Sequence, residues 1–148
     1  CKKMRERQDE FTQYKQARLF IGTWNVNAKG KDENLESWLC KNWDTDAPPD
    51  IVAVGFQEIV DLNAINLVTD RNTLQRSQHW MDKILSTLNS QKRSMDDPVQ
   101  EYTLLGHEHL VGMMLCLFVR DTHNHKVKYL HTDSVGVGIM GMMGNKGG

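Results

Sequence analysis

The chain has little cysteine, no long apolar run and almost no net charge, and each shortage removes a class of function. Its three cysteines, Cys1, Cys40 and Cys116, are odd in number and lack CxxC spacing. That argues against a disulfide framework and for reduced thiols in a cytosolic setting. No apolar run approaches the roughly 20 residues that a membrane-spanning helix needs. The basic start is not followed by an apolar segment, so it does not read as a signal peptide. A formal net charge of −1 leaves no global basic field to draw the chain onto nucleic acid or membrane. Any anion binding must come from a local cluster. No internal repeat or low-complexity tract is present. What remains is 148 residues, 39% of them apolar, enough for a core and the size of one domain or part of one. The first residue is Cys1 and the last motif ends abruptly at Gly148. The chain therefore reads as an excerpt of a longer protein.

Along the chain, residues 2–16 are polar and charge-mixed, with Met4, Phe11 and Tyr14 as the apolar exceptions. They read as a solvated helix or a linker, so residues 1–17 are taken as a lead-in and 18–148 as the domain proper. Arg18 to Asn27 reads as a strand, Ala28 to Asn34 as a polar loop and Leu35 to Leu39 as a short helix. Pro48-Pro49-Asp50 punctuates the chain before Ile51 to Phe56, an apolar run typical of a strand buried on both faces. Leu74, Trp80, Met81, Ile84, Leu85 and Leu88 fall at helical spacing, which predicts an amphipathic helix over Asn72 to Asn89. Ser90 to Pro98 reads as a connector. Glu101 to Gly106, Leu110 to Val119 and Lys126 to Val135 read as strands, the last two joined by a hairpin turn at Asp121 to Asn124. Strands on both sides of helices indicate α/β layering.

Three short motifs carry the chemistry: Gly22-Thr23-Trp24-Asn25-Val26-Asn27, Gly55-Phe56-Gln57-Glu58 and Met143-Gly144-Asn145-Lys146-Gly147-Gly148. The first two place hard oxygen donors where a predicted strand gives way to a loop, the position at which open α/β sheets gather ligands. If the two strand ends lie side by side, Asn25, Asn27 and Glu58 converge. One carboxylate with nearby amides suits magnesium, which keeps several waters and shares substrate phosphate oxygens. It does not suit zinc, which favours Cys and His. Taken singly, each motif has a plain explanation. Asn after a strand is commonly a turn former, Glu there is commonly solvated, and Trp24 has the place of a core aromatic.

The glycine-rich end imitates two nucleotide motifs and satisfies neither. Gly136-Val137-Gly138-Ile139-Met140-Gly141 matches GxGxxG, but the glycine-rich residues that follow make a poor helix, and the sequence ends before the required acid could appear. The Walker spacing fails as well, because Gly144 and Lys146 flank one residue and no Ser or Thr follows. A loop that presents Lys146 and open backbone N–H groups suits phosphate, and a plain turn with a solvated lysine fits the same residues. His107 and His109 share a strand face, and His123 and His125 flank a turn. A zinc site built from these four lacks any Cys or Asp at ligand spacing.

The ordered trio, with its spacers, resembles the inositol polyphosphate 5-phosphatases of the endonuclease/exonuclease/phosphatase superfamily. The matching text is Phe20 to Asn27, Pro49 to Val60, Leu110 to Leu115 and Gly138 to Gly148. Asp61-Leu62-Asn63-Ala64 looks like the synaptojanin branch, and the methionines before Gly144 look like the branch of the oculocerebrorenal-syndrome phosphatase. The resemblance implies a DNase I-like four-layer α/β sandwich of which only the N-terminal half is present. It implies magnesium-dependent removal of the 5-phosphate from phosphoinositides such as phosphatidylinositol 4,5-bisphosphate, or from soluble inositol phosphates. Glu58 would be the metal-binding carboxylate, Asn25 would help hold metal or scissile phosphate, and Asn27 and Gln57 would support them. Asn145 and Lys146 would line the substrate phosphate pocket. The family's water-activating aspartate and catalytic histidines would lie beyond Gly148, so the fragment alone is expected to be inactive and poorly stable, with a sheet face uncovered. The implied setting is cytoplasmic and peripheral to membranes, with no nucleic-acid partner. A nuclease of the same superfamily and a catalytically dead lipid- or protein-binding module are the competing readings. The near-neutral charge disfavours the first, and intact Asn25, Glu58 and Lys146 argue against the second.

Overall fold

The protein is described from a computed structural model, covering residues 2–12, 14–29, 33–41, 43, 47–60, 69–90, 101–110, 112–124, 126–133, 138–139 and 143–144. Two short helices, α1 (Lys2–Glu6) and α2 (Gln8–Phe11), precede β1 (Leu19–Asn25). Then come α3 (Glu36–Leu39), β2 (Ile51–Gln57) and the long α4 (Thr69–Asn89). A hairpin of β3 (Tyr102–Leu110) and β4 (Met113–Arg120) follows, and α5 (Asp121–Asn124) is a single turn. β5 (Gly138–Ile139) and β6 (Met143–Gly144) form a separate two-stranded ladder.

The main sheet has the order β1-β2-β4-β3. β1 and β2 run parallel with Asn25 opposite Gln57, and the crossover between them contains α3. That is the connection a parallel pair requires. β4 is antiparallel to both β2 and β3. Leu110 pairs with Met113, so the β3–β4 turn is a two-residue loop, and Gly112 takes it at φ 73°, a conformation glycine adopts without steric cost.

The core lies on one face of this sheet. Val52, Val54 and Phe56 of β2 and Met114, Cys116 and Phe118 of β4 alternate inward, as the two-residue strand period dictates. Ser77, Trp80, Met81, Ile84 and Leu88 of α4 are buried at the i, i+3, i+4, i+7 spacing of a single helical stripe. α3 adds Leu39, and Leu35 just before it is also buried. Trp38 stands edge-on to Trp24 at 5.2 Å, and Phe56 meets Trp80 at 4.6 Å. Such aromatic pairs add about 0.5–1.5 kcal/mol each beyond their buried area. Gly22 makes room for this cluster: a Cβ there would lie 2.8 Å from Trp38 and 2.9 Å from Phe20. Asn89 locks the end of α4 to β3, its amide donating to the Tyr102 carbonyl and accepting from the Tyr102 N–H at 3.1 and 2.8 Å.

The opposite face is open. Leu19 and Ile21 of β1 are 55% and 73% exposed, and Leu115 of β4 is 54% exposed. Here the structure corrects the expectation of a β2 buried on both faces: Ile51, Ala53 and Gly55 are only half-buried, because no described element packs over them. Two other expectations fail. Residues 126–133 form no strand, and Asp121 to Asn124 is a helical turn rather than a hairpin turn. Leu130 instead packs against Gly106, and Thr132 donates to Glu108 at 2.8 Å, so side chains rather than a ladder hold this stretch to β3. Leu110 belongs to β3, not to the strand after it. The connector after Ser90 and most of the glycine-rich end lie outside the described residues.

Candidate active site

The parallel pairing of β1 and β2 decides where the first two motifs meet. Asn25 and Gln57 are register partners at the last rung, and in a parallel pair such partners point to the same face. The ladder continues into the loops: the Val26 N–H donates to the Gln57 carbonyl at 2.9 Å and the Ala28 N–H to the Glu58 carbonyl at 2.6 Å. Residues 25–28 and 57–58 are therefore tied rung by rung. Gln57 is steadied by its amide, which donates to Thr23 Oγ1 at 2.6 Å. Asn25 Oδ1 accepts from the Asn27 N–H at 2.9 Å, a side-chain turn that sets the loop's first bend.

The backbone here is unusual. Asn27, Ala28 and Glu58 have φ of 46°, 52° and 53°. Non-glycine residues in this left-handed region cost of order 1–3 kcal/mol each and cluster at functional sites. Glu58 is half-buried, and its left-handed turn carries the chain away from the ladder just after Gln57. Next to it, the Ile59 N–H donates to the Gly112 carbonyl at 3.0 Å, which joins the β3–β4 turn to the same end of the sheet. Arg76 of α4 completes the frame by donating from Nη1 to the Ala28 and Ile59 carbonyls at 2.8 and 2.9 Å.

Asn25, Asn27, Gln57 and Glu58 are thus brought to one sheet end, as the sequence suggested, while Asn145 and Lys146 lie outside the described residues. The donor set is a carboxylate with carboxamides, all hard oxygens. Among the described residues no group of three or more His, Cys, Asp and Glu could hold a metal ion. A carboxylate with carboxamide oxygens suits a hard divalent cation that completes its shell with water and substrate. It does not fit a closed structural zinc site. The histidines go elsewhere: His107 and His109 stack on β3 with centroids 6.3 Å apart, and His123 bonds to Asp50. His125 is outside the described residues.

Sequence reading missed two features. Arg76 is one, because an arginine within a helix carries no local sign that its target is a loop 48 residues earlier. The other lies at the far end of the sheet, around buried Asp50. Its carboxylate accepts from the Arg18 N–H at 2.7 Å, pairs with the Arg120 guanidinium and meets His123 Nε2 at 2.9 Å. Burial alone would push this carboxyl up, but the Arg18 N–H, Arg120 and His123 together hold it below its usual range. His123 Nδ1 lies 3.2 Å from Lys126 Nζ, which ties the α5 turn to the residues after it. The Tyr102 hydroxyl donates to the Pro49 carbonyl at 2.6 Å beside it.

The family model for endonuclease/exonuclease/phosphatase family 2 matches residues 22–148. The chain belongs to this family. It is similar to human synaptojanin-2, with 35% identity over 99% of the chain and 10% of that protein. It is similar to the type II inositol 1,4,5-trisphosphate 5-phosphatase of Mus musculus, with 32% identity over 97% of the chain and 13% of that protein. The solved inositol polyphosphate 5-phosphatase domain of SPsynaptojanin, in complex with inositol (1,4)-bisphosphate and calcium ion, superposes with a TM-score of 0.60 and 27% identity. That match covers 82% of this chain and 32% of that one. The chain therefore spans about a tenth of the curated relatives' length and about a third of the solved domain. The family assignment agrees with the resemblance carried by the three motifs, and the α/β architecture is that of part of the DNase I-like fold.

Proposed function

We propose that this chain is the metal-binding part of an inositol polyphosphate 5-phosphatase domain, which removes the 5-phosphate from phosphoinositides or soluble inositol phosphates with magnesium. The observation that carries the proposal is the aligned end of β1 and β2, where Asn25 faces Gln57 and Glu58 follows one residue on. The names of the relatives and the inositol bisphosphate bound by the solved domain support the substrate class.

In this reading Glu58 and Asn25 hold the cation, Gln57 orients Glu58 or the metal's water shell, and Asn27 keeps Asn25 in place. A bound magnesium supplies charge neutralisation on the scissile phosphate. Asn145 and Lys146 bind the substrate phosphate. The group that activates the attacking water comes from outside residues 1–148, so the chain alone turns over no substrate. The open sheet face, with Leu19, Ile21 and Leu115 exposed, fits a domain of which only part is present. No described helix is long and apolar enough to cross a membrane. The proposed setting is the cytoplasm, with peripheral recruitment to the lipid by other parts of the protein or by partners.

The test is phosphate release from phosphatidylinositol 4,5-bisphosphate by the full-length protein. Release that requires both magnesium and Glu58 supports the reading. A well-folded protein that releases nothing, or that works equally well as Glu58→Ala, refutes it.

A further inference from the structure

We infer that Arg76 is a positioning residue for this site: by holding two loop carbonyls with one nitrogen it sets the conformation that aims Glu58 and Asn25 at the metal. The inference rests on the metal role proposed above. Arg76 Nη1 donates to the Ala28 carbonyl at 2.8 Å and to the Ile59 carbonyl at 2.9 Å. These acceptors belong to different loops, one following each motif. One acceptor is on a left-handed residue and the other directly follows one: Ala28 has φ 52°, and Ile59 comes after Glu58 at φ 53°.

A backbone held in this region relaxes unless its surroundings over-determine it, and a charge-assisted donor shared by both loops is such a constraint. Arg76 is itself well anchored, because Ser77, Trp80 and Met81 on the same helix are buried in the core. Its recorded partners are carbonyls, and among the described residues it makes no ion pair. Its charge is therefore directed at the loops rather than spent on a neighbouring carboxylate. The Ile59 peptide also bonds to Gly112, so one side chain couples α4, both motif loops and the β3–β4 turn. Groups that orient metal ligands in this way commonly change metal affinity about 10- to 100-fold when removed.

The test uses the full-length protein with Arg76→Met, which keeps a flexible apolar stem and removes every donor, and with Arg76→Lys, which restores a charged nitrogen. Magnesium affinity is measured by calorimetry without substrate, and amide hydrogen exchange is read at Ala28, Val54 and Cys116. We expect Arg76→Met to weaken magnesium binding about 10- to 100-fold and to speed exchange at Ala28, with Val54 and Cys116 unchanged. Arg76→Lys should recover most of both. Equal acceleration at all three amides would show a merely structural role and overturn the inference, as would unchanged magnesium affinity in Arg76→Met. Glu58→Ala separates the two readings. If it binds magnesium like the wild type, the proposed metal site fails and this inference fails with it. If it loses binding while Arg76→Met does not, only the inference about Arg76 fails.

Discussion

The two ends of the sheet use the same kinds of residue in opposite ways. At one end Asp50 is buried and enclosed by the Arg18 N–H, Arg120 and His123. At the other, Glu58 is half-buried, and no described residue is recorded as a hydrogen-bond or ion-pair partner for its carboxylate. The Asp50 end has ordinary strand backbone, whereas the Glu58 end holds three left-handed non-glycine residues. A buried carboxylate that already accepts three contacts has little capacity left for a ligand, and an unpartnered one on a constrained backbone has more. Charge alone thus does not mark a site. What marks it is a charged group whose neighbours leave its lone pairs open while fixing its position.

This contrast can be broken by mutation, and the largest effect is expected at the open end. Glu58→Gln in the full-length protein should lower phosphate release by at least about 100-fold, a loss of the size seen when one charge-stabilising group is removed, while leaving the melting temperature nearly unchanged. The complementary change, Asp50→Ala, should cost about 3 kcal/mol by stranding the largely covered Arg120 guanidinium, read as a fall in the denaturation midpoint. If Glu58→Gln destabilises the fold as much as Asp50→Ala does, the two ends do not differ as described.

Acid should separate the ends further. The Asp50 carboxyl is held below its usual value of 3.8. A depressed carboxylate stabilises the fold fully above its unfolded pKa, and that contribution is lost as pH falls through the folded pKa. The Asp50 contribution should therefore persist at pH 5 and fade below about pH 4. In Asp50→Asn this part of the acid limb should be missing from a pH series of melting curves.

Much of this was legible in the sequence. The α4 stripe, the two apolar strands and the three motifs follow from periodicity and residue type, and those motifs carried the family. Residues 126–133 misled because Val127, Tyr129 and Leu130 suit a strand by composition, yet Tyr129 takes φ 59°, which breaks the extended backbone that a ladder with the edge strand β3 would need. Smaller tests concern such tertiary details. Tyr102→Phe removes the bond to the Pro49 carbonyl and should cost about 1–2 kcal/mol in thermal unfolding. Ile21→Ser should change the stability of residues 1–148 by no more than about 0.5 kcal/mol, since its side is open. In the full-length protein a larger loss, about 2 kcal/mol or more, would show that this face is covered there.

By itself the sequence determined the alternation of apolar residues, the helical stripe and the oxygen donors placed where strands end, because these depend on spacing along the chain. Tertiary structure decided that β1 and β2 run side by side, that Arg76 reaches carbonyls from two loops, and that Asp50 lies in a cluster with Arg120 and His123, 70 and 73 residues away. Those outcomes depend on which surfaces pack together. Hydrogen bonds between distant residues form only after burial has aligned their partners, and nothing in the local pattern of either residue announces the match.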